Sequence, residues 1–139
     1  MGRPTSFRFS EELSARLEEE AAAAGLSVSA LVTTLLDEGL KIRRFPGVVF
    51  RDGPAGRRAG LVDGPDVWEV IRDVRAAAGR GEARIRRVAA DAGLAESQVR
   101  LAVDFYGAFP EAIDGRLDAE ERAADRVRQA VTRRERLTG

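Results

Sequence analysis

Neither cysteine nor histidine occurs anywhere in this sequence, and lysine occurs once, at Lys41. The first two absences exclude disulfides, thiolate or imidazole metal ligands, and the usual pairs of nucleophile and base. Carboxylates alone can run hydrolysis, but the acidic residues never gather at the spacing of a metal site or a catalytic dyad. A protein without catalytic residues, metal or cofactor is therefore expected, and not an enzyme. Long apolar runs are missing as well: none approaches the roughly twenty residues of a membrane span. No charged-then-apolar leader opens the chain. The expectation is a cytoplasmic protein with no membrane partner, associated with the nucleoid if it binds DNA.

Net charge is lacking too, because 23 basic and 23 acidic residues cancel. A zero sum neither favours nor forbids nucleic acid; what matters is whether basic residues form a patch. Local clusters exist at KIRRF (41–45), GRR (56–58), RIRR (84–87) and RRER (133–136), while EEE (18–20) lies apart from them. Any one cluster is equally well explained as the solvated face of an arginine-rich helix. With 44% apolar residues over 139 positions, the chain has enough hydrophobic content to fold, and it suits two small cores better than one large one.

What is present begins with TSFRFS, Thr5 to Ser10, which alternates like a short strand. A lone strand leaves its backbone donors and acceptors unpaired, so it needs a partner. Ser10 then reads as an N-cap, with Glu11 and Glu12 where a helix dipole favours negative charge. Leu13, Leu17 and Ala21 to Ala24 form a sparse stripe that ends at Gly25. Ser27 caps a second helix with a strong stripe of Val28, Leu31, Val32, Leu35, Leu36 and Leu40. Strand, helix, turn and helix in forty residues hold too few core residues to stand as a monomer.

On FRFSEEL, AAGLSVSALV and the spacing between them, residues 3 to 42 resemble the ribbon-helix-helix repressors of the Arc, MetJ and CopG type. The resemblance implies a homodimer whose two strands pair antiparallel and enter the major groove of double-stranded DNA. Phe7 and Phe9, with Leu31 and Leu35, would then line the shared core. Ser6 and Arg8, on the opposite strand face, would read bases, arginine suiting guanine O6 and N7. Arg3 and the start of the second helix, Ser27, Val28 and Ser29, would hold phosphates.

The second half opens with PGVVFRDGPAGRRAGLVDG (46–64), two short apolar runs around turn residues, which predicts a β-hairpin. Asp66 and Glu69 have capping-box spacing ahead of a helix striped by Val67, Val70, Ile71, Val74 and Ala78. A next helix uses Ile85, Val88, Ala89 and Ala92. A third, after Gly93, uses Val99, Ala102, Val103 and Tyr106, with Pro110 expected to end it. Ala89, Gly93 and Val99 have helix-turn-helix spacing. Glu96, Ser97, Gln98, Arg100, Leu101 and Asp104 are then the expected exposed positions, so Ser97, Gln98 and Arg100 make a second candidate DNA site, against the alternative of a packed tri-helical core. Residues 117 to 137 predict a long helix with a thin stripe, capped by Asp118 and Glu121.

Residues 46 to 115 are similar to the domain of unknown function 433, a small winged-helix-like module, through Val48 to Phe50, GPAGRRA, DVWEVI and VRLAVDFYGAFPEAID. Joined to a ribbon-helix-helix module, it resembles an antitoxin of the VapB type, which implies a PIN-like ribonuclease toxin as partner. The fold class expected is mainly α. A dimeric ribbon-helix-helix domain (1–45) is followed by a β-hairpin and tri-helical domain (46–115) and a C-terminal helix (116–139). The function expected is a homodimeric, sequence-specific repressor, forming higher oligomers on DNA; the alternative is an antitoxin that also represses its own operon.

Overall fold

The computed structural model describes residues 2–139. The chain is mainly helical, with six helices and one two-stranded antiparallel sheet among the described residues. It divides into two compact units, one ending at Arg44 and one spanning Phe45–Gly139.

The first unit holds α1 (Glu11–Ala24) and α2 (Val28–Arg44). Ser10 caps α1 by accepting from the Leu13 N–H at 3.1 Å, which satisfies one of the donors that a helix start leaves over. Gly25 closes α1 in the left-handed region, φ 67°, while the Leu26 N–H reaches back to the Ala21 carbonyl at 2.9 Å. Only a residue without Cβ takes that backbone cheaply. The chain bends by 98° between the two helices. Their shared core is small: Leu17, Ala21 and Leu31, with Val32 packed against them. Residues 2–10 belong to no helix or strand within one chain, since no other segment of this unit offers a strand to pair with.

The second unit begins with a hairpin of β1 (Val48–Arg51) and β2 (Arg58–Leu61), in register Val48 with Leu61 and Arg51 with Arg58. Gly47, at φ 104°, lets the chain pass Leu101, whose Cδ2 would lie 2.8 Å from an added Cβ. Then follow α3 (Val67–Ala76), α4 (Gly81–Ala92), α5 (Glu96–Ala108) and α6 (Pro110–Thr138). Val48, Leu61, Val67, Val70, Ile71, Val88, Val99, Phe105 and Ile113 are buried in one continuous core. Around Phe105 stand Phe45, Phe50 and Phe109, with ring centres 5.5, 6.5 and 5.3 Å away. Edge-on and tilted geometries of this kind add to the area that the rings bury.

Several local expectations change. Pro110 opens α6 rather than only closing α5, because proline lacks the N–H that a first helical residue does not need and has its φ already set. The last helix therefore starts before position 116, and Asp118 and Glu121 lie inside it rather than at a cap. Ile113 and Leu117 bury against the core and hold its first turns in the second unit. Ala78 and Ala92 are exposed, and Leu101, expected on the surface, packs against the core. The guanidinium groups of Arg72 and Arg116 both lie over the Trp68 ring on α3, 5.4 and 5.2 Å from its centre. This cation–π stacking is a further tie between α3 and α6.

Candidate nucleic-acid interface

In the first unit, Arg3, Ser6 and Arg8 are all exposed. So are the residues expected between them in a shared core: Phe7 is 71% and Phe9 40% accessible. Of the other two expected core residues, Leu31 is buried under α1 and Leu35 is exposed. At the start of α2, the Ser27 hydroxyl accepts from the Ala30 N–H at 3.1 Å. That bond spends the third donor of the first turn. The N–H groups of Val28 and Ser29 precede any possible intrahelical acceptor, and both residues are exposed. The Ser27 hydroxyl proton is still available to donate. Two forward N–H groups and the positive dipole end are the features that an anion would need here. At the other end of α2, Lys41, Arg43 and Arg44 occupy the last turn, where positive charge suits the dipole; Lys41 also pairs with Asp37 at 2.8 Å.

In the second unit, Ser97, Gln98 and Arg100 share a shallow cleft with Pro46, Leu101 and Asp104. Their polar groups are largely engaged. The Gln98 Oε1 accepts from the Ala95 N–H at 2.9 Å and so caps α5. Arg100 donates to Glu82 at 2.5 Å and has Glu96 at 3.8 Å. The hydrogen bond from Arg100 holds the Glu82 carboxyl below its ordinary range, and the bond to Glu82 raises Arg100 in turn. A lowered carboxyl contributes stability that is complete above its unfolded pKa and is lost as pH falls through the folded value; at neutral pH this pair is formed. Arg75 is likewise raised, first by its hydrogen bond to Asp114, and the Tyr106 hydroxyl donates to the same Asp114 oxygen at 2.8 Å.

The GRR cluster does not form a free basic patch. Arg57 pairs with Asp52 at 3.2 Å. Arg58 and its cross-strand neighbour Arg51 both bind Asp66, Arg51 at 3.3 Å from Oδ1. Arg51 also donates to the carbonyls of Leu61 and Gly64. Asp66 is buried, and its own N–H donates to Glu69 Oε2 at 2.9 Å. One carboxylate thus joins both strands of the hairpin to the start of α3. Sequence reasoning found the Asp66 and Glu69 spacing but missed the two arginines, although a hairpin register placing Arg51 beside Arg58 would have raised the question of what neutralises them.

Asp66→Ala is expected to destabilise the second unit by about 3 kcal/mol, the low end for breaking a buried pair, because both arginines keep about a third of their side-chain surface in water. A thermal melt of the full chain checks it. An unchanged melting temperature would mean that the ion cluster carries no net stability.

No family model matches this chain, and no curated protein or solved structure matches it either.

Proposed function

We propose that the protein is a homodimeric, sequence-specific DNA-binding repressor, in which residues 5 to 10 of two copies pair as an antiparallel ribbon that lies in the major groove. The observation that carries this reading is the apolar surface of the first unit. Phe7, Phe9, Leu13, Leu35, Leu36, Leu40 and Ile42 are exposed there, against three buried apolar residues beneath them. Covering a large apolar side chain stabilises by about 1.5–3 kcal/mol, so a second copy closing over this surface supplies the core that one copy lacks. The same pairing gives residues 5 to 10 a ladder. It turns Ser6 and Arg8 to the opposite face, where arginine can donate twice to guanine. Arg3 and the N–H groups of Val28 and Ser29 then fix the position on the phosphates. The second unit is given no base contact in this reading, since Gln98 and Arg100 are already engaged.

A selection of duplexes from a random pool by the full-length protein, at one fixed salt concentration, tests the proposal. It is expected to enrich a short inverted repeat, because a two-fold dimer reads two half-sites. Retention of the pool without any enriched motif would reduce the interaction to charge alone and remove sequence reading.

A further inference from the structure

α6 runs far beyond the residues that hold it. Its buried residues are Ile113 and Leu117; from Asp118 to Thr138 it continues for about 30 Å with no buried residue. Along this outer part Ala124, Val127 and Val131 follow one another at helical spacing, and Val127, Val131 and Leu137 are exposed, Leu137 at 88%. The charges are divided along its length. From 118 to 125 there are four acidic residues against Arg122, and from 126 to 136 five arginines against Glu135. Complementing the helix's own dipole does not account for this, because that effect acts over the first and last turns, and the acidic block begins two turns in.

We infer that the outer part of α6 pairs antiparallel with the same segment of a second copy of this chain. A parallel pair would set acidic block on acidic block and basic on basic. The antiparallel pair sets each acidic block against the other chain's arginines, and one self-complementary contact closes with two-fold symmetry. With Val127 of each chain facing Val131 of the other, Leu137 arrives at the level of Glu121. Beside that level lies a groove of about 540 Å³ between α3 and α6, its apolar floor made by Trp68, Leu117 and Ala124 and its charged rim by Arg72 and Arg75 as well as Glu120 and Glu121. Leu137 thereby gains an apolar seat, and Arg133, Arg134 and Arg136 gain carboxylates. This contact is separate from the ribbon and does not rest on the DNA-binding reading.

Because the chain has no cysteine, introduced thiols report the contact directly. Two full-length proteins, one carrying Ala124→Cys and the other Arg134→Cys, are mixed and oxidised, with Ala55→Cys as an exposed reference. Antiparallel pairing brings positions 124 and 134 of different chains together and keeps like positions apart. The mixed disulfide is then expected in about tenfold excess over either homodisulfide, and the excess should shrink when Arg133→Glu and Arg136→Glu are added to both proteins. Dominant homodisulfides would show a parallel arrangement. Yields no higher than the Ala55→Cys reference would show that the helix does not meet a second copy. Either result overturns the inference. Ribbon pairing raises the local concentration of both thiols but does not choose which of them meet, so failure of the DNA-binding reading is scored separately.

Discussion

Arg8→Ala is expected to leave the melting temperature of the protein unchanged and to weaken binding to the selected operator by roughly 30- to 25,000-fold. Arg8 is exposed, and an exposed substitution usually changes stability by less than about 0.5 kcal/mol. A bidentate arginine–guanine pair is worth about 1–3 kcal/mol of discrimination, and a symmetric dimer loses it twice, which sets that range. Binding to a scrambled duplex should fall much less, because the phosphate contacts at Ser27 to Ser29 remain. Both duplexes are titrated at one salt concentration. A variant that melts like the wild type and binds operator within about twofold, against the minimum expected from one lost base contact, would show that the ribbon is not the reader.

Phe105→Ala is expected to cost the second unit about 3–5 kcal/mol and to lower its melting temperature by roughly 12 °C or more. Phe105 is 2% accessible and is the ring that Phe45, Phe50 and Phe109 all contact. Those rings come from the start of the unit, from β1 and from the junction of α5 with α6, so removing the central one leaves a cavity that no single element can close. For a domain whose whole stability is of the order of 5–15 kcal/mol, the loss is a large share. Calorimetry of the full chain measures it, and a shift of only a degree or two, well below the per-kilocalorie expectation, would mean that the aromatic group is not a packed core. Binding of selected DNA at low temperature should survive, because Phe105 belongs to the unit that makes no base contact in the proposed reading.

Much of the element pattern was legible because it rests on neighbours in sequence. Ser10, Gly25, Ser27 and Gly93 act on helix ends within a few residues of themselves, and the two apolar runs around the glycine-rich turn became β1 and β2. Pro110 ends α5 as expected and also opens α6; that second role was not read, because a proline that stops one helix carries no local sign of starting another, and the burial of Ile113 and Leu117 is what anchors the new one. The candidate site was legible in a different sense. Alternation alone separates Ser6 and Arg8 from Phe7 and Phe9, yet a segment that finds no partner strand within its own unit shows no ladder there.

The sequence by itself determined a mainly helical chain, the caps and the hairpin, since each follows from spacing within one or two turns. Only the tertiary structure decided which arginines are free. Arg58 meets Asp66 across 8 positions, Arg51 meets it across 15, Arg100 meets Glu82 across 18, and Arg75 meets Asp114 across 39. In the sequence those arginines look alike, because an ion pair depends on where the folded backbone brings two side chains, and local spacing carries no trace of that path.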